Sequence, residues 1–442
     1  MRTRLNRRQF ITRAGATAVA GTLARGLRGE EKPDHRPPGP NDRPRIAHIG
    51  CGSIGWHNAN ILLNLNRSDY VALCDPDENR VKDFANKVAE RQKHRPDTYG
   101  DFRRVLDRKD VDAVWISTPD HWHALITIHA CLAGKDVFVE KPISHNILEG
   151  RAMVKAARTY NRIVMAGTQQ RSGPHLKAGC EYVRNGHLGK VGLCKAWVVG
   201  HPGNLGRPAD EPPPPGVDYD LWLGPAPKRP FNRNRFHYQW RWFWDYAGGK
   251  CADWGIHLLD MVHWGMGVDA PLAVSSSGGR IMLDDNCETP DTQIAVFEYP
   301  GFLCTWEHRE GNVRPWDNLR HGIEFYGTKG TLLMERNGWA VFSEKTGDKD
   351  VIPDAPKMRG DDAQMYVDHA AHWLDCLATR QTPRSDIEIA HRTTTVCHLA
   401  NIAYKLKRRI VWDRQKEQIV GDREANALLG REYRKPWELP AV

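Results

Sequence analysis

The sequence predicts an α/β protein with two domains: an N-terminal domain on a doubly wound parallel sheet, and a C-terminal α/β domain with a meandering, mostly antiparallel sheet. Three observations lead to this prediction. A glycine turn joins two apolar runs near residue 50, apolar runs alternate with helical patterns up to residue 166, and short β-type runs separated by turn residues follow residue 270. The 442 residues, 40% of them hydrophobic, suffice for two or three domains with their own cores.

The glycine turn lies within residues 45–75, where a strand-like run leads into Gly50-Cys51-Gly52-Ser53-Ile54-Gly55 and then into a helix-like segment. This order is the dinucleotide-binding fingerprint of a Rossmann domain. Gly50 allows the tight turn, Gly52 lets the backbone approach a pyrophosphate, and Gly55 permits close packing of helix on strand. The phosphates then lie at a helix N-terminus, so Ser53 and Ile54 are also predicted cofactor contacts.

Asp75 follows Gly55 by twenty residues and ends the second apolar run. A carboxylate at this position can accept hydrogen bonds from the ribose hydroxyls of adenosine, and it would repel a 2′-phosphate. The predicted cofactor is therefore NAD, while Arg80 keeps NADP open. A purely structural glycine turn is the alternative interpretation of the motif.

The rest of the N-terminal domain, predicted as residues 44–166, continues the alternation. Strands at 113–116, 136–139 and 163–166 are expected to alternate with helices at 78–91, 101–106, 124–133 and 149–160. Two of these strands run into polar residues, Ser117 to His123 and Glu140-Lys141-Pro142. They mark the sheet edge where doubly wound folds bind ligands.

The C-terminal domain is predicted to span residues 167–412. Its β-type runs are 279–283, 292–299, 301–307, 322–327 and 331–334, followed by helices at 361–378 and 387–405 and a last strand at 409–412. Residues 413–442 are predicted to form a basic and polar tail docked at one end.

Residues 1–43 are predicted to be an export signal and a proline-rich linker. Asn6-Arg7-Arg8-Gln9-Phe10-Ile11 precedes a weakly apolar stretch, Ala14 to Ala24, that is too short to span a bilayer. The pattern resembles a twin-arginine signal and predicts delivery to the periplasm by the membrane export machinery. The segment is then either removed or kept as a membrane anchor, and a basic disordered arm is the alternative.

Charge and cysteine content bear on the class of protein. The formal net charge is +9, but residues 1–45 hold eleven Lys/Arg and four Asp/Glu, which leaves 52 basic and 50 acidic residues elsewhere. This near balance gives no reason to expect nucleic-acid binding. The ten cysteines are scattered without a CxxC pair and are predicted to be small core residues rather than disulfide or zinc ligands.

Three motifs occur in order: GCGSIG, Val139-Glu140-Lys141-Pro142 and Gly248 to His257. Together they resemble the glucose–fructose oxidoreductase / inositol dehydrogenase family (Gfo/Idh/MocA) over about residues 44–412. The resemblance implies an NAD(P)-dependent oxidoreductase whose open C-terminal sheet mediates homo-oligomers, dimers or tetramers. It implies Lys141 as the catalytic lysine and Asp253 with His257 as the acid/base pair. It further implies cofactor contacts from Thr118, Pro119, His121, Glu140, Lys141, Gln170 and Arg171.

The chemistry of these residue types supports the implied roles. Oxidation of a secondary alcohol requires loss of a hydride and of the hydroxyl proton, for which a neutral imidazole is a suitable base near pH 7. Asp253 and His257 are spaced i, i+4, so on one helix they share a face and Asp253 can orient the imidazole. Lys141 can donate to the substrate oxygen. Asp253, His257 and Asp260 together resemble a set of metal ligands, but no further ligand is evident and no metal is predicted.

Residues 200–246 combine a proline run, Pro212 to Pro215, with a dense run of aromatic and charged residues, Phe236 to Tyr246. Directly before the predicted catalytic helix, this composition suits a sugar pocket, because aromatic faces pack against the C–H face of a pyranose. His237, Tyr238 and Arg241 are the predicted substrate contacts. The alternative is a rigid loop that packs over the core.

Three functions follow as hypotheses. The first is hydride transfer between a tightly bound nicotinamide cofactor and a secondary alcohol of a small carbohydrate or cyclitol. An exported enzyme lacks regeneration of free NAD, so the cofactor must be reset on the protein. The second hypothesis is therefore an NAD-dependent glycoside hydrolase or lyase that uses transient oxidation and elimination. The third is a non-catalytic sugar-binding protein.

Overall fold

The computed structural model describes residues 42–200 and 203–442, so the predicted export signal lies outside the described residues. Across the described ranges, no helix combines the length and the apolar character needed to cross a membrane. All ten cysteines are buried and unbridged, as predicted for core residues.

The N-terminal domain contains a six-stranded sheet of parallel strands in the order β3-β2-β1-β4-β5-β6. Its elements are β1 (Arg45–Ile49), α1 (Ser53–Leu65), β2 (Asp69–Cys74), α2 (Glu78–Ala89), β3 (Asp97–Tyr99), α3 (Phe102–Leu106), β4 (Ala113–Ile116), α4 (Asp120–Leu132), β5 (Asp136–Val139), α5 (Ile147–Thr159) and β6 (Val164–Ala166). Every residue of β4 and β5 is buried, as expected for parallel strands covered on both faces. The order reverses between β1 and β4, where a crevice opens at the carboxyl ends of the strands.

The C-terminal domain contains a ten-stranded sheet in the order β16-β13-β12-β11-β7-β10-β9-β8-β17-β18. Only β7 and β10 pair in parallel; the other neighbours are antiparallel, which confirms the predicted sheet. The strands are β7 (Val191–Val199), β8 (Ala273–Gly279), β9 (Thr292–Tyr299), β10 (Phe302–Arg309), β11 (His321–Gly327), β12 (Gly330–Glu335), β13 (Gly338–Ser343), the separate pair β14 (Lys345–Thr346) and β15 (Lys349–Asp350), β16 (Lys357–Arg359), β17 (Ile410–Asp413) and β18 (Gln418–Ile419).

The predicted strand at 279–283 is wrong, because β8 ends at Gly279. The chain turns there: the Asp291 carboxylate accepts hydrogen bonds from the backbone N–H groups of Ile281, Met282 and Leu283, which are therefore not available to a strand partner. Strand β7, at the centre of the sheet, has no clear sequence signal, because Gly192 and Lys195 interrupt its apolar pattern.

The helices of this half of the chain are α6 (Pro174–Arg184), α7 (Tyr219–Leu223), α8 (Gly249–Asp253), α9 (Gly255–Met266), α10 (Asp362–Thr379), α11 (Ile387–Leu406) and α12 (Arg423–Ala427). Helices α6, α9 and α11 pack with the large sheet around one core. Helix α10 instead packs against the N-terminal domain, where Trp373 contacts Trp115 and Phe138. The C-terminal residues also lie on that domain, with Trp437 against Trp122.

Candidate active site

The turn between β1 and α1 requires glycine at two positions. Gly50 has a φ of 98°, and a Cβ atom there would lie 2.6 Å from the carbonyl group of Ser117. A Cβ on Gly55 would lie 2.2 Å from the carbonyl oxygen of Gly50. No side chain caps the N-terminus of α1, so its first-turn N–H groups are free to bind an anion. The turn is thus a cradle that fits a pyrophosphate.

A cleft with about 820 Å³ of empty space, counted out to its mouth, begins at this cradle. The predicted cofactor residues Gly50, Gly52, Ser53, Ile54, Asp75, Thr118 and Pro119 all line it. So do several residues without a recognised motif: Phe102, Trp122, Leu221, Trp222 and Trp240. The donor groups of the cradle and the carboxylate of Asp75 fit the two ends of an adenosine diphosphate, so these residues suit NAD.

Asp75 lies at the wall of the cleft beside Arg80. Its carboxylate accepts hydrogen bonds from the backbone N–H groups of Cys51, at 2.7 Å, and Asp77, at 2.9 Å. Burial raises the pKa of Asp75 to about 6, although these two hydrogen bonds and Arg80 oppose the rise. Above this pH the group is a carboxylate that attracts ribose hydroxyls and repels a 2′-phosphate.

We expect the preference for NAD over NADP to increase with pH. Above pH 6 the Asp75 carboxylate is ionised and repels the 2′-phosphate, whereas below pH 6 its charge is lost. The ratio of the dissociation constant for NADP to that for NAD, measured by calorimetry, should rise by about tenfold or more from pH 5 to pH 8. In Asp75→Asn it should stay nearly flat. An equal rise in the variant would contradict the assigned role of Asp75.

The segment before the catalytic helix covers the adenosine end of the cleft. The carbonyl groups of Pro215 and Gly216 accept hydrogen bonds from Asn79 Nδ2 and from the backbone N–H of Glu78. His237 Nε2 lies 3.3 Å from the Asp77 carboxylate. His237 and Tyr238 both line the nucleotide cleft. Arg241 lines the same cleft, so the role of all three residues as substrate contacts stays a prediction.

The predicted catalytic lysine sits in an ion-paired cluster with residues of the C-terminal domain. Lys141 Nζ lies 2.8 Å from Asp253 Oδ1 and also donates to the Asp253 carbonyl oxygen at 2.9 Å. Arg241 Nε lies 3.4 Å from the same Oδ1 atom, and Arg241 lines the nucleotide cleft. Burial alone would raise the pKa of Asp253, but the charges of Lys141 and Arg241 lower it well below its ordinary value. Asp253 is therefore a fixed carboxylate.

The prediction that Asp253 and His257 share one helix is wrong. Helix α8 ends at Asp253, α9 begins at Gly255, and Trp254 lies between them. His257 Nδ1 is buried without a hydrogen-bond partner among the described residues. Burial lowers the pKa of His257 well below its ordinary value, and Lys141 adds to this shift. His257 is thus a neutral imidazole, and no hydrogen bond joins its ring to Asp253 among the described residues.

Neighbouring residues hold the lysine in place. The two oxygens of Glu140 accept hydrogen bonds from Asn58 Nδ2, at 2.8 Å, and from the backbone N–H of Lys141, at 3.2 Å. His123 Nδ1 lies 2.7 Å from the carbonyl oxygen of Pro142. Neither Glu140 nor Lys141 is among the residues that line the nucleotide cleft; the lysine is linked to the cleft through Asp253 and Arg241.

Three other predicted cofactor contacts lie away from the cleft. His121 Nε2 contacts the carbonyl oxygen of Trp222, at 3.0 Å, and so supports the segment that covers the cleft. Gln170 is buried, and its Oε1 has no partner within the described part of the chain. Arg171 is directed to Asp260, with Nε and Nη2 at 2.7 and 2.8 Å from the carboxylate. Arg171 and Asp260 therefore form a buried structural ion pair.

Comparisons with known proteins agree with a fold that binds NAD. Two family models match the chain, "Oxidoreductase family, NAD-binding Rossmann fold" over residues 44–168 and "Oxidoreductase family, C-terminal alpha/beta domain" over 196–292 and 348–439. Myo-inositol 2-dehydrogenase of Thermotoga maritima is 24% identical over 69% of this chain and 80% of its own length. A glycosyl hydrolase family 109 protein of Shewanella sp. is 26% identical, and the match covers 42% of this chain and 44% of that protein. The structure of levoglucosan dehydrogenase with NADH and levoglucosan has a TM-score of 0.65 and 16% identity, covering 84% of this chain and 99% of that one.

Proposed function

Because this chain belongs to the Gfo/Idh/MocA family of NAD-binding oxidoreductases, we propose that it oxidises a secondary alcohol of a sugar or cyclitol with a tightly held NAD. The observation that carries the proposal is the cluster at the cleft. Arg241 lines the cleft and contacts Asp253, which in turn binds the ammonium group of Lys141. A fixed ammonium and a neutral imidazole therefore lie near the place where an alcohol would meet the nucleotide.

Each of these residues has a distinct role. NAD, when bound, supplies the acceptor for the hydride. The first-turn N–H groups of α1 and the carboxylate of Asp75 hold its pyrophosphate and ribose. Lys141 donates a hydrogen bond to the substrate oxygen and stabilises its developing negative charge. His257, which burial keeps neutral, accepts the hydroxyl proton at its free Nδ1.

Retention of the nucleotide is supported by the cover of the cleft and by the C-terminal residues. Trp222 and Trp240 line the cleft from the covering segment, and Trp222 belongs to a buried aromatic cluster of that segment. Trp437 packs against Trp122, at 4.8 Å between ring centroids, and Trp122 also lines the cleft. Release of NAD would require part of this packing to open, so dissociation is slow.

A specific observation favours a second candidate, a glycosidase that oxidises its sugar only transiently. The chain is similar over 42% of its length to a protein named for glycosyl hydrolase family 109. A retained nucleotide that accepts a hydride and returns it in the same cycle suits such a reaction. Both candidates use Lys141 and His257 in the first step. They differ in the product: the dehydrogenase releases a keto-sugar, and the glycosidase releases a cleaved glycoside.

One experiment separates the candidates. The purified protein is incubated with a panel of glycosides, sugars and cyclitols in deuterated water without added cofactor, and products and bound nucleotide are analysed. A keto-sugar with reduced nucleotide supports the dehydrogenase, whereas cleavage with deuterium beside the oxidised carbon supports transient oxidation. Saturable binding with neither reaction would overturn both and leave a sugar-binding protein.

Export and assembly extend the proposal. The twin-arginine pattern at Arg7 and Arg8 supports delivery of a folded, NAD-loaded protein to the periplasm. Changing both arginines to lysine should leave the protein in the cytoplasm, and unchanged periplasmic yield would refute this route.

Three exposed aliphatic residues on the large sheet, Leu193, Ile294 and Leu303, support a homo-oligomer. Leu303→Glu should then lower the sedimentation coefficient to that of a monomer, and an unchanged value would contradict this interface.

A further inference from the structure

Asp120 is a buried carboxyl group that the roles above leave unused. It is the first residue of α4 and follows Thr118 and Pro119, which line the nucleotide cleft. Only 3% of the residue is exposed, and its Oδ1 has no hydrogen-bond partner in residues 42–200 or 203–442. A buried, unsatisfied carboxylate oxygen is costly, so its presence beside a reactive cluster calls for a function.

The surroundings of Asp120 are the charges of the catalytic cluster. Burial raises the pKa of Asp120 well above its ordinary value; Asp253 adds to the rise, whereas Arg241 and Lys141 oppose it. On its own helix, burial lowers the pKa of His121 to about 3 and that of His123 to about 4, so both are neutral. The charge of Asp120 therefore depends on the cations around it, and removal of one positive charge favours its protonated form.

We propose that Asp120 stores the proton released by the substrate hydroxyl, so that the proton and the hydride of the oxidised alcohol both stay on the protein. The proposal rests on the proposed function, because a nucleotide that is reset within one site needs its proton returned as well as its hydride. Asp120 is suited to this role because it is shielded from solvent, directly follows the cleft-lining residues Thr118 and Pro119, and has an Oδ1 without a partner among the described residues.

With NAD bound as the oxidant, the substrate C–H bond would break and its electron pair would leave as hydride to the nucleotide, so that the carbon is oxidised. The O–H bond breaks and the C=O double bond forms; His257 Nδ1 takes the proton first and passes it on to Oδ1 of Asp120. The Asp120 carboxylate would then become a carboxylic acid while the bound nucleotide, as hydride acceptor, would lose one positive charge, which would keep the local charge constant. In the return step the same proton and hydride go back.

The test uses binding of NAD and NADH and requires no substrate. If reduction of the nucleotide favours a protonated Asp120, the protein with NADH holds one more proton than the protein with NAD. The ratio of the dissociation constant for NAD to that for NADH should then rise as pH falls, by up to about tenfold for each pH unit. A ratio that does not change from pH 5 to pH 9 would overturn the proposal. Effects of Asp75 cancel, since both nucleotides have the same adenosine end.

A variant assigns the effect to one residue. Asp120→Asn keeps the shape of the side chain but cannot take up the proton, so its ratio should be flat with pH. Asp375→Asn, which removes a carboxylate from an exposed ion pair with Arg67, should behave like the unaltered protein. A slope that persists in Asp120→Asn would place the proton elsewhere and refute the proposal. The glycoside experiment tests the proposed function separately, because it measures products and this one measures protons.

Discussion

Lys141→Met is expected to lower kcat by about 10³-fold while the protein still folds and binds NAD. The ammonium group is the donor placed to stabilise the developing negative charge on the substrate oxygen, and loss of one such donor costs enzymes roughly 10²–10³ in rate. Methionine fills a similar volume, and Arg241 remains 3.4 Å from the Asp253 carboxylate. Because Arg241 keeps a positive charge beside Asp253, the stability loss should stay below the ~3–5 kcal/mol that is typical when one partner of a buried ion pair is removed. Single-turnover reduction of the bound nucleotide measures the effect.

The control is Lys177→Met, which removes a lysine from an exposed ion pair with Glu181 on α6. It should keep full activity, because Lys177 lies in neither the cleft nor the cluster. Full activity in Lys141→Met itself would remove the lysine from the mechanism. Loss of NAD binding in that variant would show that Lys141 holds the nucleotide in addition to the substrate.

Gly55→Ala should abolish measurable NAD retention. The added Cβ would lie 2.2 Å from the carbonyl oxygen of Gly50, a backbone atom that cannot move without displacing the turn. Helix α1 must then shift away from β1, which carries its first-turn N–H groups away from the pyrophosphate. We expect a loss of NAD affinity of about 100-fold, or ~2.7 kcal/mol. Overpacking of this kind should also cost ~1–3 kcal/mol of unfolding free energy.

Gly192→Ala provides the matched control. A Cβ at Gly192, on β7, meets no atom of the described residues within 4 Å, so this variant should bind NAD normally and unfold at the same denaturant concentration within error. Calorimetric titration with NAD and urea unfolding measure the two quantities. If Gly55→Ala retained NAD as well as Gly192→Ala does, the close approach of α1 to β1 would not be required for the site.

The parts of the site that local sequence determines could be predicted. Gly50 has a positive φ within the turn, Gly55 lies against the carbonyl oxygen of Gly50 five residues earlier, and Asp75 follows a strand that ends beside that turn. Lys141 follows β5 at the sheet edge where ligands bind. In each case the chemistry depends on the residue's position along one strand–turn–helix unit, which periodicity and glycine spacing reveal.

The contacts made across the chain could not be predicted in the same way. The spacing of Asp253 and His257 fits one helix, but α8 and α9 are separated at Trp254, and the Asp253 carboxylate turns to Lys141. Arg171 follows a strand edge as a cofactor ligand would, yet it pairs with a carboxylate 89 residues later. The Arg171 pairing uses Nε and Nη2, two of the three guanidinium nitrogens, and depends on which distant group lies nearest after folding.

Asp120 shows where sequence analysis could have gone further. It stands in the same polar stretch as Thr118 and Pro119, at the edge of the sheet, and it is the one acidic residue of that stretch. Its type and position were visible in the sequence. Its burial and its place among Arg241, Asp253 and Lys141 were not, because two of these residues come from the other domain.

The most direct test of this account is a crystal structure of the protein with bound NAD. We expect the ribose of adenosine at Asp75, the pyrophosphate at the N-terminus of α1, and the nicotinamide at the end of the cleft lined by Thr118 and Pro119, facing Lys141. The distance from the reactive carbon of the nicotinamide to Lys141 Nζ shows whether the ring faces the lysine. A nicotinamide ring at the Asp75 end, or bound outside this cleft, would contradict the assignment of the active site.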